Sequence, residues 1–162
     1  MSEVTVLVDE EEEFDDRGSY NHSLVQGNLT HLIKLHSDYS ALVEVSLDTS
    51  DLDKSQFPNI KNELIPDVCA YPRRPVAVRD ILVMKEMPKF VIEVISPRQG
   101  SFSIIEKFQA YFAMGIKSCW LVDPVTTVIS VYYPNQPPRT FASGEVVDEI
   151  ADIKIPLAEA FE

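Results

Sequence analysis

FVIEVISPRQGSFSIIEK, residues 90–107, decides the fold because its hydrophobic period changes half-way along. From Phe90 to Ser96 the apolar residues are nearly continuous, which suits a strand. With period two, Val91, Glu93 and Ile95 point to one face and Ile92 and Val94 to the other. Apolar neighbours on both faces predict a central strand covered on both sides, ended by Pro97. From about Ser103 to Met114 the spacing is helical, with Ile104, Ile105, Phe108, Tyr111 and Phe112 as the apolar positions and Gly115 suited to the C-cap. Lys107 and Tyr111, four apart, share one side of this helix. Glu93 is the exception to the apolar scheme. An isolated ionised carboxylate in a dry interior is so costly that it takes up a proton, pairs with a cation or binds a metal.

Upstream, Pro66–Tyr71 (PDVCAY) reads as a short strand led by proline, which a strand start tolerates. Ser40–Leu47 alternates apolar and polar residues as one half-buried strand, with Glu44 inside it. A first helix begins near Ser19 or Asn21, either of which can cap it, and Leu24, Val25, Leu29, Leu32, Ile33 and Leu35 form its apolar face. His22 lies in its first turn, with His31 and His36 further along. Residues 49–63 are polar and read as a loop, and 76–87 fit either a short helix or an irregular crossover. Downstream, Lys117–Asp123 is a strand stopped by Pro124, and Thr127–Tyr133 is its antiparallel neighbour. Residues 141–155 form a final hairpin turning at Ser143-Gly144. This order of elements predicts an α/β class fold, a mixed sheet with helices packed on it.

The chain has 162 residues, enough for one domain with a sizeable core, and no apolar run of ~18 residues that would span a membrane. Its first residues lack the basic start and apolar core of a secretory signal. Cys69 and Cys119 both fall in apolar runs, as buried free thiols do, which fits a reducing, cytoplasmic location. The net charge of −12 argues at first sight against a nucleic-acid partner. Its distribution softens that argument. Residues 1–16 hold eight of the 26 acids and no base, whereas residues 72–107 hold seven bases (Arg73, Arg74, Arg79, Lys85, Lys89, Arg98, Lys107) and four acids. Residues 1–18 are therefore expected to be an acidic flexible arm, in which residues 3–8 could add an edge strand, and 19–162 a single domain.

If the strands of Asp67 and Glu93 are neighbours, about 4.8 Å apart, both carboxylates can reach one cation. An all-oxygen pair suits Mg²⁺ or Mn²⁺, and the main-chain carbonyl of Ile95 could add a ligand on the same face. A lysine beside such a metal can orient the attacking water or offset charge on a phosphate, so Lys107 completes a set for metal-assisted phosphodiester hydrolysis. The plainer reading is that Asp67 is a strand-end acid and Glu93 pairs with Lys107 or Lys89. Other chemistries lack their residues. The five glycines form no phosphate-cradling loop, no Cys/His cluster suits zinc, and no nucleophile elbow surrounds Ser96.

At these residues the sequence resembles the Uma-two restriction-endonuclease family, within the PD-(D/E)XK nuclease superfamily. The resemblance is carried by IPDVCAY, FVIEVISP and EKFQAYFAMGIKSCWLVDP, with NHSLVQGNL near the start, and spans roughly Ser19 to Tyr133. It implies a restriction-endonuclease-like core and a metal-dependent nuclease site with Asp67 and Glu93 as ligands. The lysine usual in that superfamily would fall at Ile95, and the resemblance implies that Lys107, on the following helix, takes its place. His22 matches a first-helix histidine of many members and is expected to support the site. Two positions depart from the family pattern: Ser103 stands where many members have an acid, and the N-terminal segment is short and strongly acidic.

Together these readings describe an Mg²⁺-dependent endonuclease acting on DNA as a homodimer, since two-fold symmetry would set two sites on a duplex. Asp67, Glu93 and Lys107 are its expected catalytic residues. His22, Tyr111 and Glu44 support them, and Arg73, Arg74 and Arg98 contact backbone phosphates. The rival reading is a catalytically degenerate nuclease fold that binds a protein partner through its acidic arm.

Overall fold

The first helix begins where the sequence offers a cap. The computed structural model describes residues 18–60, 63–97 and 101–162, and in it α1 runs from Tyr20 to His36. The Ser19 side chain accepts a hydrogen bond from His22 N at 3.2 Å, satisfying one of the donors a helix start leaves open. Val25, Leu29, Leu32 and Ile33 are the residues α1 buries, and their spacing of four, three and one is one helical stripe. Leu35 falls outside that stripe and is exposed, contrary to the expected face.

A six-stranded sheet forms the centre, in the order β1 (Tyr39–Val43), β4 (Val68–Pro72), β6 (Phe90–Val94), β7 (Cys119–Asp123), β8 (Val128–Tyr132), β9 (Arg139–Phe141). β6 and β7 are parallel and joined through α2 (Ser101–Ala113), while the other neighbours are antiparallel, so the sheet is mixed. β6 is buried at all five residues, as its apolar run predicts. Phe90, Ile92 and Val94 join α1 in one core, and Val91 joins α2 in the other. One helix thus covers each face of the sheet. On the α1 side Trp120 is fully buried and stacks on Phe90, with ring centroids 4.9 Å apart.

Local chemistry sets the ends of α2. Gly115 has φ 97°, a left-handed conformation that glycine adopts without a Cβ penalty. Its N–H donates to Phe112 O and Ile116 N–H to Tyr111 O, the paired bonds of a Schellman cap.

Two local expectations need correction, and one open alternative is decided. Residues 40–47 are two strands in different sheets, because Glu44 takes φ 52° and turns the chain out of β1 into β2 (Ser46–Asp48). β2 pairs with β3 (Glu63–Leu64) and β5 (Val83–Met84) in a small sheet. The stretch 76–87 is irregular apart from β5, so the crossover alternative holds. Gly144 does turn the chain, at φ 70°, but between β9 and β10 (Glu145–Asp148). The terminal hairpin is β10 with β11 (Ile153–Pro156), and it turns beyond Asp148. A 3₁₀ turn at Ala158–Phe161 follows. Cys69 and Cys119 are buried free thiols, and burial pushes the Cys69 pKa up to about 12. The arm expected at the N-terminus and Arg98 lie outside the described residues, apart from Gly18.

Candidate active site

β4 and β6 are neighbours in antiparallel register, Val68 opposite Ile92, which brings Asp67 opposite Glu93 at one end of the sheet. The two carboxyl groups lie within hydrogen-bonding reach of each other. Asp67 is tightly held. Its Oδ2 accepts from Val94 N at 2.7 Å and from His22 Nε2 at 3.1 Å. Its carbonyl accepts from Gln26 Nε2 at 2.7 Å and from Glu44 N at 3.3 Å. Gln26 was not singled out in the sequence. It stands four residues after His22 on α1, so the two share a helix face, and that spacing was the available signal.

Glu93 is 2% exposed and comes off the α2 side of the sheet, where Tyr111 OH donates to its Oε1 at 2.8 Å. Burial raises its pKa most, the facing Asp67 carboxyl raises it further, and the Lys107 charge and the Tyr111 hydrogen bond only partly offset them. The result is a carboxyl pushed up to about 8. Lys107 is half-buried one turn before Tyr111 on the same side of α2. The hydrogen bond that His22 donates to Asp67 raises the His22 pKa above its usual 6.5 against the effect of burial, and the charges of Asp67 and Glu44 add to it. Exposed Glu44 therefore bears on the site through its charge on His22, while His22 Nδ1 is buried with no partner among the described residues.

The site tests well for a hard divalent cation. Two facing carboxyls, one of them forced to hold a proton, gain most from a positive charge between them. Among the described residues no group of three or more His, Cys, Asp or Glu could hold a metal, so a closed zinc-type cage is not built here. Mg²⁺ commonly takes one or two carboxylates and fills its shell with water and substrate phosphate, which matches two carboxyls at an open sheet end. A cavity of about 210 Å³ lies alongside, lined by Ser19, Asn21, Ile95, Ser96, Pro97 and Asp123 among others. Ile95, just past β6, is fixed by its N–H bond to Val122 O at 2.9 Å.

Two of the basic residues expected on phosphate, Arg73 and Arg74, make hydrogen bonds within the chain. The Arg73 guanidinium donates to the carbonyls of Lys34, Ser37 and Tyr39 and so closes the end of α1. Arg74 makes a two-pronged pair with Glu86 at 2.8 and 2.5 Å. His31 and His36 are exposed, away from the carboxyls.

Residues 7–157 match the Uma2 family, which is described as "Putative restriction endonuclease". The chain belongs to the Uma2 family. Among solved structures, a protein described as "a putative nuclease belonging to DUF820" from Anabaena variabilis ATCC 29413 superposes with TM-score 0.69. It is 19% identical, and the match covers 88% of this chain and 81% of that one. At that identity the likeness establishes the fold of this Uma2 chain and not its activity. No curated protein matches it. Among the described residues no helix is long and apolar enough to cross a membrane.

Proposed function

We propose that this Uma2 protein is a divalent-metal-dependent endonuclease that hydrolyses DNA phosphodiester bonds. The observation that supports it is the pairing of Asp67 with Glu93, two facing carboxyls of which Asp67 is paired with His22 while Glu93, among the described residues, has no ion pair. Asp67, Glu93 and the Ile95 carbonyl would hold Mg²⁺ or Mn²⁺. The ion supplies Lewis-acid polarisation of the phosphoryl oxygen and lowers the pKa of a bound water.

The chain's own residues do the rest. His22, Gln26 and Val94 N fix Asp67, so its carboxyl does not reorganise when substrate arrives. Tyr111 fixes Glu93 in the same way. Lys107 offers a positive charge to the phosphate as negative charge builds on its oxygens. Water adds to phosphorus, the bond to one ester oxygen breaks, and the departing oxygen gains a proton while the water loses one to solvent. Two copies, each with one site, would suit the two strands of a duplex.

Calorimetry with Mg²⁺ and Mn²⁺ should show binding by the wild type and its loss in Asp67→Ala and Glu93→Ala. Plasmid cleavage with either metal should fall ~100-fold or more in Lys107→Ala. Metal binding indifferent to both carboxylate changes, or full-rate cleavage without Lys107, would overturn the assignment.

A further inference from the structure

We infer that residues 73–84, with the groove beside them, are the contact surface for a second copy of this chain. The segment links β4 to β6 and holds its apolar side chains out in water. Val76 is 96% exposed, Val78 105% and Leu82 85%, with Ile81 at 49%. Its conformation is nonetheless fixed at both ends. Arg73 N donates to Asp38 O, Arg74 pairs with Glu86, Tyr71 OH donates to Glu86 O, and Val83–Met84 pairs with β2. Ordered apolar side chains left fully in water are the mark of a surface that another molecule covers.

The same face carries the hole for these knobs. A groove of about 430 Å³ is lined by Leu42, Val45, Tyr71 and Met84, with Val76 and Ile81 at its rim. Knob and hole on one molecule make a self-complementary patch, which a two-fold axis closes into a dimer without leaving a free surface to polymerise. The size fits as well. The four exposed apolar residues present roughly 550 Å² per copy, most of the ~800 Å² per partner of a standard interface.

Charge points to the same occupant. A chain of net charge −12 repels its own copies over most of its surface. Residues 73–86 carry Arg73, Arg74, Arg79 and Lys85 against Asp80 and Glu86, so this face does not share in that acid–acid repulsion. Arg79 and Asp80 are adjacent, exposed and opposite in sign, a pair that two-fold symmetry can cross-match. DNA fits the face poorly: valines offer nothing to phosphate, and Arg73 and Arg74 are already engaged within the chain. The inference gives the two-copy reading above its surface, and its test needs neither metal nor DNA, so it fails separately from the nuclease assignment.

Sedimentation equilibrium of the full chain without metal or DNA should show a dimer at micromolar concentration. Val78→Asp with Leu82→Asp should weaken it ~100-fold or more with an unchanged circular dichroism spectrum, because both side chains are exposed in the single chain. A wild type that stays monomeric at high concentration overturns the inference. So does a dimer that the double variant leaves intact. A monomeric wild type that dimerises only when residues 1–17 are removed also overturns it, by assigning the patch to the chain's own N-terminus.

Discussion

Glu93→Gln should flatten the pH dependence of stability in the metal-free protein. Glu93 is held in the folded chain with a pKa of about 8 against an ordinary value of 4.5. Between those values the folded state keeps a proton that the unfolded state has lost. Stability is therefore greatest below about pH 4.5 and falls as pH rises through about 8. The slope from this one group approaches about 1.4 kcal/mol per pH unit. His22 adds a slope of the same sign, since its raised pKa gives stability that is complete below 6.5 and is lost above it. Glutamine keeps the shape and the acceptor for Tyr111 but cannot ionise, so the variant should retain only the His22 part. Urea unfolding in EDTA at half-unit steps from pH 5 to 9 reads this directly. Wild type and variant should have similar midpoints near pH 5, and the variant should be more stable by several kcal/mol near pH 8. Added Mg²⁺ should close the gap by stabilising only the wild type. Parallel curves for the two proteins would mean that Glu93 bears no strained charge, and the physical case for a metal there would fall with it.

Metal binding at pH 7 should release close to one proton in the wild type, seen by calorimetry in buffers of different ionisation enthalpy, because the metal needs the ionised form of Glu93. Asp148→Asn should cost about 2–4 kcal/mol by urea midpoint, since an amide nitrogen cannot accept the bonds the buried carboxylate now takes. Arg73→Ala should cost about 1–2 kcal/mol by releasing two carbonyls at the end of α1 and the Tyr39 carbonyl at the start of β1, and it should leave DNA affinity at low salt unchanged. Gly115→Ala should cost about 1 kcal/mol through its positive φ, with metal binding intact.

Period and punctuation carried most of the fold. The apolar run of β6, the switch to helical spacing after Pro97, the Ser19 cap and Gly115 each have a local cause, and each element formed where that cause put it. The sequence missed what depends on packing at a distance. Nothing local to Glu44 says that the chain turns there with positive φ, and Leu35 is indistinguishable from Leu32 until the sheet decides which face of α1 is covered. At the site, the pairing of Asp67 with Glu93 followed from two neighbouring strands, and Tyr111 from its place one turn after Lys107. Gln26 left only its spacing from His22 as a signal, because its partner is a main-chain carbonyl, and carbonyls leave no mark on sequence. Arg73 misled for the same reason. Its charge suggested phosphate, whereas its place at the end of α1 gave it three carbonyls.

Two buried carboxyls on opposite sides of the sheet separate support from chemistry. Asp148 is 1% exposed and Glu93 is 2%, so burial alone does not tell them apart. Asp148 accepts from Ser118 Oγ, from Trp120 Nε1 at 2.8 Å, from Tyr133 OH at 3.1 Å and from Ala151 N at 2.9 Å. Those donors come from β7 and the residue just before it, from the residue just after β8, and from the turn after β10, so the carboxylate ties the terminal hairpin to the central sheet. A fully satisfied network of this kind is structural. Glu93 receives one hydroxyl and faces another carboxyl. A fold selected for stability alone gains nothing from that arrangement, since an apolar residue at 93 would remove the desolvation cost and the repulsion together. Under the proposed function a cation between the two groups would give the arrangement its use, since among the described residues Glu93 accepts only the Tyr111 hydroxyl and so keeps acceptor capacity for one.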